Sequence, residues 1–161
     1  LENNIDHEKF LNLRADVAKR SLCLRSKCGA IIVQDGIVIA EGYNGPPGDD
    51  LSNRKCDIEF PVVNRRKPKT DCSCCVHAEA RAIKNALRAG HSLIGSTMYF
   101  IRVDDQGNKL FSGVPYCVSC SKLALDEKIA YWVLNHTFRD NAYGAKNYND
   151  LSFDYHLTTA D

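Results

Sequence analysis

A layered α/β sandwich built on a mixed sheet is the fold class predicted for this 161-residue chain, and three observations predict it. First, two β-rich runs, Gly29–Gln34 and Ile37–Tyr43, flank Asp35 and Gly36, a pair that favours a tight two-residue hairpin. Second, a strand at Thr97–Arg102, a helix at about Cys117–Asp126 and a strand at Ile129–Leu134 follow one another at the spacing of a parallel crossover. Third, Asp6 to about Leu22, and His77 to near Gly90, carry apolar residues at helical spacing. A hairpin and a crossover in one sheet make it mixed, and the apolar helix faces must cover it.

In chain order, the first helix sets Phe10, Leu13, Val17 and Ala18 apart from Asp16, Lys19 and Arg20, as a helix packed on a surface does. After the hairpin, Asn44–Asp50 (NGPPGDD) breaks all regularity, and the polar stretch to Thr70 reads as a long loop. The second helix starts near His77, carries Ala82, Ile83, Ala86 and Leu87, and ends near Gly90. Beyond the next strand, Asp104–Asn108 turns into a short return, Lys109–Phe111, and Pro115 precedes the third helix. From Asn135 to Asp161 the chain is rich in Asn, Asp and aromatic residues without a clean period, which predicts one short helix or turn. With no repeat or linker visible, a single domain over 1–161 is expected.

Composition narrows the function. A net charge of +1 advertises no basic track for long nucleic acid, so a small substrate is expected. No apolar run approaches the roughly 18 residues of a membrane span, and the start has no signal pattern, so the protein reads as cytosolic. In that compartment the eight cysteines favour metal over disulfides.

Two motifs carry chemistry. His77-Ala78-Glu79 and Pro115–Cys120 (PYCVSC) each open a predicted helix. Cys117 and Cys120, three residues apart, share a helix face and can grip one ion at about 2.3 Å, with His77 as a third ligand. In a regular helix Glu79 lies about 200° around from His77, so both can serve one site only off the helix's open end. Two thiolates and one imidazole on Zn²⁺ leave the fourth position for water, which separates a catalytic site from a closed structural one. Glu79 is then free to move protons. The alternative is a structural clasp of Cys117, Cys120 and two of Cys72, Cys74, Cys75 and His77, which leaves Glu79 unexplained.

With these residues the chain resembles the zinc-dependent cytidine and deoxycytidylate deaminase superfamily, whose signature is H-x-E with P-C-x-x-C. Arg20–Arg25 (RSLCLR), Gly29–Val33, Asp35-Gly36 and Gly42–Gly45 (GYNG) followed by Pro47 look like the front half of deoxycytidylate deaminases, in the same order. The resemblance implies a three-layer α/β/α sandwich with a five-stranded sheet of the cytidine deaminase type, one catalytic Zn²⁺, and a homodimer or hexamer. It also implies that Asn44 hydrogen-bonds the nucleotide and that the Ala78 backbone N–H reads the base carbonyl. The expected reaction is hydrolytic deamination of a cytosine nucleotide, dCMP to dUMP with ammonia released. Deamination of another base, nucleoside or modified nucleotide stays open, as does a catalytically silent zinc-binding regulator.

The chain departs from the family pattern in three places. Tyr116 separates Pro115 from Cys117, and is expected to line the pocket. Arg81 stands where deoxycytidylate deaminases commonly have Asn, which points to it as a second substrate-side residue. The His77 to Cys117 interval is lengthened by the Asp104–Gly113 excursion. Some family members carry a further structural zinc, and the resemblance places it at Cys23 and Cys56 with Cys74 or Cys75; the alternative is reduced, partly buried thiols. Arg25, Arg65, Arg66, Lys67, Arg81 and Arg102 are candidates for a substrate phosphate, and His7, His91, His136 and His156 read as surface or capping residues.

Overall fold

The computed structural model describes residues 4–56, 74–136 and 139–159. Helix α1 (Asn4–Ala18) leads into strands β1 (Lys27–Gln34) and β2 (Ile37–Tyr43). Two short 3₁₀ turns, Pro47–Asp49 and Leu51–Asn53, follow. Then come α2 (Ala78–Arg88), β3 (Thr97–Val103), β4 (Lys109–Leu110), α3 (Val118–Asp126), β5 (Tyr131–Asn135), β6 (Asp140–Gly144) and α4 (Ala145–Thr159). The sheet runs β2-β1-β3-β5-β6, with the two-residue β4 added to β3. Among the described residues only β3 and β5 pair in parallel, joined through α3, so the sheet is mixed as the sequence predicts. At the hairpin both Asp35 (φ 52°) and Gly36 (φ 76°) are left-handed, the conformation that lets a two-residue turn follow the strand twist.

Alternation along the strands sorts the core into two layers. Ile31 and Val33 of β1, Tyr99 of β3 and Val133 of β5 pack with Phe10 and Val17 of α1 on one face. Ala30, Ile32, Met98, Trp132 and Leu134 pack on the other, against α2, α3 and α4. The result is a three-layer sandwich in which, among the described residues, α1 covers one face of the sheet and α2, α3 and α4 the other. Two glycines permit the closest approaches. A Cβ at Gly29 would run into the backbone of α1 at Arg14 and Ala18, and one at Gly42 into the backbone of α2 at Ala78 and Ala82.

Two expectations need correction. Helix α1 stops at Ala18 rather than near Leu22. Just beyond it the Ser21 hydroxyl donates to Asn44 Oδ1 (2.6 Å) and accepts from the Cys23 N–H (3.1 Å), local bonds that compete with the helix. The tail is also more ordered in pattern than one short helix or turn: it forms an edge strand and a 15-residue helix. Its buried contacts come from Ala145, Tyr148 and Ser152, with Tyr148 stacked on Trp132 at 4.1 Å, a face with little aliphatic signal. β6 is tied by Asp140 to the buried Arg14 of α1 at 2.6 Å, a contact between residues 126 apart. Among the described residues no helix is long and apolar enough to cross a membrane.

Candidate active site

Helices α2 and α3 bring their N-termini together, and each is preceded by a metal-type side chain. His77 occupies the N-cap of α2 and Cys117 that of α3, where its Sγ accepts from the Cys120 N–H at 3.4 Å. The position before α2 is set by an antiparallel bridge between Val76 and Gly45, which seats the chain beside the GYNG turn. His77 Nδ1 lies 3.2 Å from Cys120 Sγ and 3.3 Å from Cys117 Sγ. Tetrahedral zinc with two sulfur ligands and one nitrogen would hold these atoms about 3.5–3.8 Å apart, so the donor set fits the ion after a small outward shift.

The electrostatics agree with that fit. Hydrogen bonding from the Cys120 thiol, together with His77, lowers the Cys117 pKa, whereas Cys120, which supplies that proton and is buried, is raised. The pair therefore shares a proton that a cation can replace. Glu79, in the first turn of α2, is buried and does not join the three donors; its Oε2 is 3.9 Å from Cys120 Sγ. Burial, opposed in part by His77, pushes its carboxyl up to about 7, a value suited to taking and giving a proton near neutrality.

The cluster opens into a cavity of about 580 Å³. Asn44, Ala78 and Tyr116 line it. Asn44 is largely committed to the fold: Oδ1 accepts from Ser21 and from the Cys28 N–H (2.8 Å), and Nδ2 donates to the Ser26 carbonyl (2.7 Å), leaving one amide hydrogen. Ala78 is the first residue of α2, whose N–H has no acceptor within the helix. Tyr116 packs edge-on to Tyr155 at 4.9 Å, and its carbonyl accepts from His156 Nε2 at 2.8 Å.

Arg81 is not part of that wall. Its guanidinium pairs with Asp49 (2.7 Å), donates to the Pro46 carbonyl (2.8 Å) and stacks over Tyr43, clamping the loop after β2. Arg65, Arg66, Lys67 and Cys72 lie outside the described residues. Four further cysteines, Cys23, Cys56, Cys74 and Cys75, form a second group in the same cavity. The sulfurs of Cys23, Cys56 and Cys75 lie within 4.8 Å of one another, and Cys74 is 3.6 Å from Cys56. Burial and the neighbouring Cys23 and Cys74 thiols raise the Cys75 pKa. Among the described residues, His77 with Cys117 and Cys120, and Cys23 with Cys56 and Cys75, thus form two separate donor groups.

Sequence reasoning passed over several wall residues: Cys28, Phe100, Ser112, Tyr148 and Tyr155. For Cys28 and Phe100 the only available signal is strand alternation, because both lie on the sheet face that meets α2 and α3. Burial pushes the Cys28 thiol up to about 12, so it lines the cavity as a neutral group.

Comparison with known proteins agrees with this arrangement. The family model described as "Cytidine and deoxycytidylate deaminase zinc-binding region" matches residues 4–135. Deoxycytidylate deaminase of Mycobacterium phage D29 is 37% identical over 59% of this chain and 76% of its own length. Deoxycytidylate deaminase of Saccharomyces cerevisiae is 29% identical over 81% of this chain, which spans only 37% of that protein. Among solved structures, dCMP deaminase from cyanophage S-TIM5 in complex with dCMP and dUMP superposes with a TM-score of 0.60 over 82% of each chain at 20% identity. Cytidine deaminase from Burkholderia pseudomallei gives 0.58 over 88% of this chain and 94% of its own, at 17% identity. These two likenesses are of fold. On the family match, which covers most of its length, the chain belongs to the cytidine and deoxycytidylate deaminases.

Proposed function

We propose that this protein hydrolyses dCMP to dUMP and ammonia, with His77, Cys117 and Cys120 holding one Zn²⁺ and Glu79 moving the protons. The observation that carries the reading is a buried carboxylate set beside, but outside, a His-Cys-Cys donor group at the mouth of two helices. A structural zinc site has no use for that carboxylate. When bound, the ion supplies the Lewis acidity that lets water lose a proton near neutral pH. Glu79 accepts that proton and passes it to the ring nitrogen next to the amine-bearing carbon, which makes the carbon electrophilic. After the hydroxide oxygen adds there, Glu79 takes the remaining proton from that oxygen and delivers it to the amine; the carbon–nitrogen bond breaks, ammonia leaves and a carbonyl remains. The Ala78 N–H would hold the base carbonyl, and the remaining Asn44 amide hydrogen would reach the nucleotide. That these relatives bear the name deoxycytidylate deaminase supports dCMP as the substrate.

The second cysteine group supports a further, structural Zn²⁺ held by Cys23, Cys56 and Cys75, with Cys74 as the fourth sulfur. A dimer or hexamer is carried over from the family resemblance alone. The test of the main reading is an ammonia-release screen over dCMP, CMP, deoxycytidine, cytidine, guanine and adenosine compounds. Preferred turnover of dCMP is expected. Preference for cytidine would reject the nucleotide while leaving the chemistry intact, and no turnover of any compound by zinc-loaded protein would favour a silent regulator.

A further inference from the structure

We propose that Arg102 and Ser112 form an anion-binding corner of the cavity that takes the 5′-phosphate of the substrate, an inference that rests on the nucleotide reading above. Both residues line the cavity. Arg102 lies on β3 in the same alternation as Met98 and Phe100, and so on the face that carries the zinc ligands. It stands near the C-terminal end of the parallel pair β3 and β5, the edge at which open α/β sheets bind ligands.

The polar accounting at this corner is incomplete without a ligand. Arg102 Nη2 donates to the Phe111 carbonyl at 3.1 Å. No carboxylate among the described residues pairs with it, and its buried Nε–H has no hydrogen-bond partner there. The buried Ser112 hydroxyl is likewise without a partner among the described residues. On β1 the neighbour of Arg102 is Cys28, a neutral thiol, and on β4 it is Leu110, so neither adjoining strand supplies an anion. A cation and a hydroxyl left under-satisfied in one wall ask for an acceptor-rich anion, and a guanidinium tied by one bond can turn its fork toward a phosphate.

The same corner accounts for the Asp104–Gly113 excursion. That segment is anchored, with the Asp104 carboxylate accepting from the Gln106 and Asn108 N–H groups. β4 pairs Leu110 with Arg102; Asn135 of β5 donates to the Leu110 carbonyl (2.9 Å) and its own carbonyl accepts from the Ser112 N–H (2.9 Å). Those bonds deliver Ser112, Gly113 and Val114 to the cavity wall. The excursion is thus a means of placing a hydroxyl beside Arg102.

Calorimetry with the product pair dUMP and deoxyuridine reads the phosphate contact directly, on zinc-loaded wild type and on Arg102→Gln, Arg102→Lys and Ser112→Ala. Loss of one charge-assisted hydrogen bond corresponds to about tenfold or more in affinity. Arg102→Gln should therefore cut the preference for dUMP over deoxyuridine by about that factor while deoxyuridine affinity stays within about twofold, with part of the preference recovered in Arg102→Lys. Ser112→Ala should lower it by a smaller factor, and reads the same preference if Arg102→Gln does not fold. An unchanged preference in all three variants, or equal weakening of both ligands, overturns the proposal. Wild type that binds neither nucleotide nor nucleoside product rejects the nucleotide reading itself, and the subsite with it.

Discussion

Replacing Glu79 by Gln separates metal binding from proton transfer, because the substitution keeps the volume of the side chain and removes only its basicity. Glu79 is buried and is not one of the three clustered donors, so the variant should bind zinc as wild type does. Removing a positioned general acid–base group costs about 10²–10⁴ in rate, or roughly 3–5 kcal/mol of transition-state stabilisation. A second effect has the opposite sign. Burial raises the Glu79 carboxyl from 4.5 to about 7, so in the metal-free protein ionising it disfavours the folded state. That penalty is absent below the unfolded value, grows as pH rises toward the folded value, and levels off above it at about 3 kcal/mol. Metal-free Glu79→Gln should therefore be more stable than metal-free wild type at pH 8, by up to that amount, and no more stable at pH 4. The assays are ammonia release under saturating dCMP, zinc by elemental analysis, and urea denaturation of chelated protein at the two pH values. A variant that retains zinc and full activity would refute the proton-shuttle role.

The cysteine group at Cys23, Cys56, Cys74 and Cys75 predicts two zinc ions per chain, falling to one in Cys56→Ser with His77, Cys117 and Cys120 intact; one ion in wild type by elemental analysis contradicts it. Arg81→Ala should destabilise the fold by about 1–3 kcal/mol in urea melts, through loss of the bonds to Asp49 and Pro46, without changing zinc content. Burial works against the Asp49 charge, but the bonds from Tyr43 and Arg81 outweigh it and hold its carboxyl below 3.8. Its contribution is thus present throughout the neutral range and is lost only as pH falls below that value. Gly42→Ala forces a Cβ into the backbone of α2 at Ala78 and Ala82, and thermal denaturation should show a loss of about 1–3 kcal/mol or more.

What the sequence made legible was local. The Asp35-Gly36 turn, the stop of α2 at Gly90 (φ 83°) and the strand-helix-strand crossover all follow from short-range rules, and all are present. The His-Cys-Cys group was legible for a similar reason: each motif sits at a helix start, and only their meeting depends on the fold. The C-terminal strand and helix were not legible. Asp140–Gly144 lacks β-branched residues, and α4 buries Tyr148 and Ser152 rather than an aliphatic stripe, so neither period stands out. Arg81 shows the limit of reading a position by its motif. Two residues from Glu79, it reads as a substrate-side residue, but the partner that decides its orientation is Asp49, 32 residues away. His156 has the same lesson in reverse, since it reads as a surface residue and yet bonds the carbonyl next to Cys117.

If a zinc ion at His77, Cys117 and Cys120 makes this chain a dCMP deaminase, conversion of dCMP to dUMP should follow the metal. Zinc-loaded protein should give equal amounts of dUMP and ammonia, lose both after dialysis against a strong chelator, and regain both when one equivalent of zinc is added back. Undiminished turnover by protein that elemental analysis shows to be free of metal would rule out that role for the ion.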